Sequence, residues 1–234
     1  MNQSTPRTEK MLYLEVWEAP VRITHWVMVL ALLCLGVTGY WIGNPPFSAP
    51  GEASSLYSFG TIRFIHFLAG YVLLASFLLR VYWGFVGNRF CRWTTMLPFT
   101  RRRWLGLREE VECLLFPKGN FPVFKGHAPL ANVSYLVLYL GVLFSITSGF
   151  TLYAQGQYSP FWRSIGPWGL ALFGNNLNTV HFLHHLALWF FAVFAVIHLY
   201  LVIYTIMTSR TTEVDAMISG KKFVLEEDLS PYSD

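Results

Sequence analysis

Charge is scarce in this sequence. Asp, Glu, Lys and Arg make up 13% of its 234 residues while 54% are hydrophobic and 18% aromatic, a balance that excludes an ordinary soluble domain and implies an integral membrane protein. Cysteine is scarce as well. Cys34, Cys91 and Cys113 form no Cys-x-x-Cys pair, which excludes covalent c-type haem attachment and a paired thiolate centre; they read as small buried hydrophobes or free thiols. No basic helix is interleaved with base-stacking aromatics, so the net charge of +4 does not point to nucleic acid, and the cations read as topology signals. The first 19 residues carry Glu9, Lys10, Glu15 and Glu18, without the basic start and apolar centre of a cleavable signal peptide. The amino terminus is expected to stay in the cytoplasm.

Long apolar runs are what the sequence has. Four of them, about 23–42, 62–85, 129–153 and 178–207, are long enough to cross a bilayer as helices. Pro20 fits the first turn of the first helix, and the Asn44-Pro45-Pro46 stretch cannot continue it. The expected fold class is all-α: one integral membrane domain over 1–234, a four-helix bundle with both termini cytoplasmic. Residues 86–128 form a cytoplasmic loop, within which Trp104 to Phe116 reads as an amphipathic helix on the membrane surface. Residues 208–234 form a polar cytoplasmic tail, read as an arm that orders on a partner. Fifteen of the seventeen Lys and Arg residues fall on the side of the termini and the 86–128 loop, leaving Arg63 and Arg163 on the other. The loops at 43–60 and 154–177 then face the periplasm.

The last span, Thr179 to Tyr200, is as apolar as a membrane helix yet holds four of the seven histidines: His181, His184, His185 and His198. Ionisable groups inside a bilayer are costly, so such residues are candidates for a functional site. His184 and His198 are 14 positions apart, which puts them within about 40° of one helix face and about 21 Å apart along the axis. One helix can therefore serve two sites. Helices 62–85 and 178–207 both begin on the periplasmic side, which sets His66 and His184 at similar depth there. Helix 23–42 begins in the cytoplasm where 178–207 ends, which sets His25 with His198. Neutral imidazole is an axial iron ligand, and a flat apolar macrocycle suits the inside of a helix bundle, so the expectation is two bis-histidine b haems held between the helices.

A lone histidine at a helix end is more often an interfacial, hydrogen-bonded side chain than a ligand, but four that pair by depth are harder to explain that way. His181 and His185 lie about 100° and 140° from the face of His198 and read as neighbours of the ligands. His127 reads as an interfacial residue, with a quinone or proton site as its alternative. Gly36, Gly39, Gly70 and Gly149 would let a macrocycle approach the backbone, although helix contact explains each equally well. Arg22 and Arg63, each three residues before a proposed ligand, would neutralise haem propionates or anchor the helices at the interface.

With these residues placed, the chain resembles the cytochrome b subunit of membrane-bound nickel–iron uptake hydrogenases. The matching stretches run Glu18 to Trp26, Gly39 to Gly43, Gly51 to Ala53, Ile62 to Phe67, Arg80 to Arg89 and Gly126 to Ala131, with His184 and His198 on the last helix. Together they span about residue 13 to about residue 220. The Arg80–Arg89 run is specific, whereas the Arg22-x-x-His25-Trp26 pattern is shared with formate dehydrogenase membrane subunits and related b-type cytochromes. The resemblance implies that His25, His66, His184 and His198 are the haem ligands. It also implies electron transfer from the iron–sulfur small subunit of a periplasmic hydrogenase, and through it from the large nickel–iron subunit, via two haems to a membrane quinone. No hydrogen-activating residue is expected in this chain. The doubled His184–His185 departs from the simpler family pattern, which leaves His185 as the alternative ligand.

Two other readings compete. A formate dehydrogenase or thiosulfate reductase cytochrome differs only in its partner, while a non-haem membrane channel or scaffold would use its histidines by titration. For the hydrogenase reading, the partner is expected at the periplasmic loops, which are poor in cations and rich in aromatics such as Phe47, Tyr57, Tyr158, Phe161, Trp162 and Trp168. Quinone is expected near the His25–His198 haem, with Arg80, Tyr82 and Trp83 as candidate contacts. Lipid and the bacterial inner membrane complete the expected surroundings.

Overall fold

Each of the four apolar stretches is one long helix in the computed structural model of the protein, which describes residues 11–45, 57–96, 100–116, 122–208, 213–226 and 229–233. They are α1 (Ala19–Gly43), α2 (Ser58–Val86), α5 (Pro129–Gln155) and α7 (Leu177–Thr208), all long and apolar enough to span a membrane. Between them lie α3 (Trp93–Met96), α4 (Arg101–Leu115) and α6 (Pro160–Leu172). The strands β1 (Met11–Glu15) and β2 (Lys221–Leu225) and the short helix α8 (Glu213–Ser219) complete the chain. Phe47, the Gly51–Ala53 match, Arg7, Lys10, Lys118 and Arg210 lie outside the described residues.

The chain divides into two compact units, one of them formed by Ile23–Arg80 and Val137–Val196. Within it the four long helices meet through small residues. Gly36 of α1 brings that backbone close to Leu188 of α7, and Gly141 of α5 makes room for Phe190. Leu73, Val142 and Val180 are buried, whereas Leu30, Leu33, Phe182, Trp189 and Val196 point outward, as helix sides bathed in lipid require. An aromatic cluster joins α2, α5 and α6: the rings of Phe67 and Tyr153 lie 4.8 Å apart, those of Tyr71 and Phe150 5.2 Å apart, and Phe150 stacks on Trp162 at 6°.

The 154–177 segment, expected as a loop, contains α6. Its glycines and prolines look like helix breakers in the sequence, but Pro160 takes the first helical position and Gly166 and Gly169 let the backbone close on Ala154 and Thr151 of α5. Gly174 and Asn175 then adopt left-handed φ values of 70° and 57°, and the Asn176 side chain accepts from the Asn178 and Thr179 amides to start α7.

The other unit holds the described parts of the chain up to Arg22, 81–136 and from 197 onward. The chain is mostly helical, as expected, and to the helices this unit adds one small sheet, in which β1 and β2 pair antiparallel with Met11 opposite Leu225 and Glu15 opposite Lys221. Lys222 turns inward and donates from Nζ to the Phe124 carbonyl at 2.7 Å. The tail does not hang free as an arm. Leu229 bridges to Val123, the Ser230 amide donates to the Val123 carbonyl, and Arg102 donates to the carbonyls of Pro231 and Ser233.

Helix α4 forms where an amphipathic helix was expected, yet its buried face is polar: Arg103, Gly106 and Glu110 point inward while Trp104 and Leu115 are exposed. Arg103 donates to the His127 carbonyl, and Glu110 accepts from the Leu130 amide at 2.7 Å, satisfying one of the orphan donors that begin α5. The Arg80–Arg89 run forms a knot. Glu18 accepts from the Trp83 indole and the Asn88 amide, both at 2.8 Å, and Asn88 in turn donates to the Val16 carbonyl and accepts from the Phe90 and Cys91 amides. Gly84 leaves space for the Trp93 indole.

Candidate functional site

Two imidazoles face each other inside the four-helix unit. The ring centroids of His66 on α2 and His184 on α7 are 6.4 Å apart and their planes cross at 82°. Each ring is seated by a neighbouring helix. The Thr38 hydroxyl of α1 lies 2.9 Å from His66 Nδ1, and the Ser148 hydroxyl of α5 lies 2.9 Å from His184 Nδ1. The residue after each hydroxyl is glycine. A Cβ on Gly39 would come within 3.2 Å of His66 Cε1, and one on Gly149 within 3.1 Å of His184 Cε1. A hydroxyl–glycine pair thus recurs on α1 and α5, one for each imidazole.

Around the two rings lies a cavity of about 500 Å³. Its walls are mostly apolar, from Leu32, Leu35, Leu73, Ile146 and Phe191, and His181, His184, His185 and Arg63 are among its polar lining residues. A void of this size with few polar groups is a small-molecule or cofactor site. The donor set fits a porphyrin iron. Two imidazoles in apolar surroundings would hold such an iron, which would supply one-electron chemistry there.

The other expected residues have their own surroundings. His185 donates through Nδ1 to the His181 carbonyl, 3.1 Å away, and its far edge packs on Gly43 of α1. The ring that stands 6.4 Å from His66 is that of His184. Arg63 lines the cavity three residues before His66. Arg22 donates to the Ile218 carbonyl, a task that ties the start of α1 to α8. His25, beside Trp26 at 5.1 Å, belongs to the four-helix unit and His198 to the other, and their pairing rests on helix direction alone. His127 is held between Trp17 and Tyr135 at ring distances of 4.1 and 4.7 Å, a packed position. Trp83, expected near quinone, gives its indole N–H to Glu18. Gly70 lines the cavity, and a Cβ there would meet nothing within 4 Å.

Thr38 and Ser148 are not among the residues that the histidine pattern singles out. The available signal was the repeated hydroxyl–glycine dipeptide, Thr38-Gly39 and Ser148-Gly149, one in each of two apolar spans.

Four membrane-length helices and an imidazole pair facing an apolar cavity define a multi-pass membrane protein with an internal cofactor-sized site. The chain belongs to the prokaryotic cytochrome b561 family, whose profile matches residues 16–220. It is 40% identical over 218 residues to the probable Ni/Fe-hydrogenase B-type cytochrome subunit of Azotobacter vinelandii, covering 92% of this chain and 90% of that one. It is 39% identical over 210 residues to the protein of the same name from Rhizobium leguminosarum bv. viciae, covering 88% and 87%. Against the probable Ni/Fe-hydrogenase 1 B-type cytochrome subunit of Escherichia coli K12 the identity is 37% over 209 residues, with 88% of both chains covered.

Proposed function

We propose that this chain carries electrons from the iron–sulfur small subunit of a periplasmic nickel–iron hydrogenase to the membrane quinone pool, as the b-type cytochrome anchor of that complex in the inner membrane. The observation that carries the reading is the His66–His184 pair across an apolar cavity, in a family of b-type cytochromes whose relatives are named as hydrogenase subunits. Those names favour a hydrogenase over a formate dehydrogenase or thiosulfate reductase partner.

His66 and His184 would hold one haem b, and His25 and His198 a second near the opposite membrane face. Haem supplies reversible one-electron chemistry. The chain's own part is to present neutral imidazoles at a fixed spacing, exclude water with apolar walls, and offer the Arg63 guanidinium to the propionates. The partner's electrons arrive at the periplasmic face and the quinone site lies near the His25–His198 haem, because a second haem is needed when donor and acceptor are on opposite sides. Quinone reduction there would take up cytoplasmic protons while hydrogen oxidation releases protons outside, so turnover adds to the proton gradient without a pump.

The test is the haem content and reduced-minus-oxidised spectrum of the purified protein. Two b haems per chain are expected, with one lost in His66→Ala or His184→Ala and the other in His25→Ala or His198→Ala. Two haems in all four variants would overturn the ligand set, and a spectrum without b-haem bands would overturn the function.

A further inference from the structure

We propose that Thr38 and Ser148 are positioning residues that fix the tautomer of His66 and His184 and thereby set the reduction potential of the group they hold. This rests on the ligand assignment above and goes beyond it.

Each hydroxyl proton is committed within its own helix. Thr38 Oγ1 donates to the Cys34 carbonyl at 2.6 Å, and Ser148 Oγ to the Phe144 carbonyl at 2.8 Å, the helix-internal bond of a hydroxyl to the residue four back. A hydroxyl has one proton and two lone pairs. With its proton so committed, each oxygen faces an imidazole Nδ1 at 2.9 Å with a lone pair, and the hydrogen of that contact must come from the ring. A neutral imidazole with its proton on Nδ1 keeps its lone pair on Nε2, the nitrogen a metal needs. Ligand and hydroxyl therefore impose the same tautomer.

The two seats are alike, except that the Leu35 carbonyl of α1 is a further backbone partner for His66. Each hydroxyl comes from a helix that does not carry the ring it supports, α1 for His66 and α5 for His184, and each is followed by the glycine that admits the ring edge. Two independent hydroxyls on different helices, each set against a different imidazole of the pair, argue against accidental contact.

The electronic consequence follows from the kind of acceptor. An acceptor on Nδ1–H pushes electron density toward Nε2 and stabilises the oxidised metal, and a neutral hydroxyl does so less than a carboxylate would. The pair of hydroxyls thus holds the site at a potential between that of unsupported imidazoles and that of imidazoles paired with carboxylates. Removing a hydroxyl should raise it.

The experiment is a spectroscopic redox titration of the membrane-extracted protein, with and without Thr38→Val, Thr38→Ser, Ser148→Ala and Ser148→Thr. His66→Ala first identifies which wave belongs to this pair. That wave is expected to move to higher potential in Thr38→Val and in Ser148→Ala, further in the double variant, and to return toward the original value in Thr38→Ser and Ser148→Thr. The other wave should stay in place. An unmoved wave with haem still bound in either single variant would overturn the proposal. The two positions lie on different helices, so poor expression of one variant leaves the other to decide. If His66→Ala loses no wave at all, the ligand assignment falls, which is a separate result.

Discussion

The rings of His66 and His184 stand 6.4 Å apart at 82° across the cavity, although the residues are 118 positions apart in sequence. His185, the other half of the doubled histidine, turns its ring edge to Gly43 and its Nδ1 to the His181 carbonyl. His184→Ala should therefore abolish one haem signal, while His185→Ala should retain both haems with at most a small spectral shift. Pyridine haemochrome content per chain measures this. Loss of haem in His185→Ala with retention in His184→Ala would exchange the two assignments.

The four spans were legible because a bilayer writes itself plainly, as runs of about 20 apolar residues. The 14-residue spacing of His184 and His198 needed only helix geometry. What escaped was whatever depends on contacts made far away in the chain. Strands β1 and β2 are five residues each and pair across some 200 positions, so neither has a local partner to betray it. Helix α6 hid behind glycines and prolines whose purpose, close packing on Thr151 and Ala154, exists only in the folded bundle. The polar inner face of α4 escaped for the same reason, since Arg103 and Glu110 look like solvated charges until the His127 carbonyl and the Leu130 amide are brought to them.

Glu110 offers a stability test of that face. Its buried carboxylate accepts from the Leu130 amide at the start of α5, so Glu110→Ala leaves a buried donor without this partner at a cost of about 1–3 kcal/mol. Glu110→Gln keeps an acceptor and should cost less. Thermal unfolding in a fixed detergent reads both, and equal midpoints for Glu110→Ala and the parent would remove the cap from the account.

Lys222 is buried with its ammonium on the Phe124 carbonyl. Lys222→Ala should be destabilising by about 1–3 kcal/mol, because it breaks the bond and empties the space under β2. Limited proteolysis of the carboxyl-terminal residues should quicken in parallel. Unchanged proteolysis would mean that the strand pairing holds without this anchor.

Membrane orientation, inferred from the cations, can be checked at two exposed aromatics. Tyr158, before α6, and Trp104, on α4, are both well exposed. In intact spheroplasts a membrane-impermeant maleimide is expected to label Tyr158→Cys, in a background lacking the native cysteines, and to spare Trp104→Cys until the membrane is opened. A crosslinker at residue 158 should then reach the hydrogenase small subunit. The reverse labelling pattern would invert the topology and move the docking face with it.

Three glycines separate the seat of the imidazoles from the space between them. A methyl at Gly39 or Gly149 would lie 3.2 or 3.1 Å from an imidazole carbon, tight enough that the ring must shift by a few tenths of an ångström. At Gly70, which lines the same cavity, an added Cβ meets nothing within 4 Å, and at Gly60, outside it, the same is true. Alanine at Gly60 should be harmless or slightly stabilising, since glycine inside a helix costs about 0.5–1 kcal/mol relative to alanine. Alanine at Gly39 or Gly149 should displace a ligand and weaken haem retention. Gly70 lines the cavity, so leucine there should fill part of it, and haem content should fall while helix content and unfolding of the haem-free protein stay close to the parent. Circular dichroism alongside haem quantification separates the two effects. Full haem occupancy in Gly70→Leu would show that the cofactor does not use this cavity, whatever the imidazoles do.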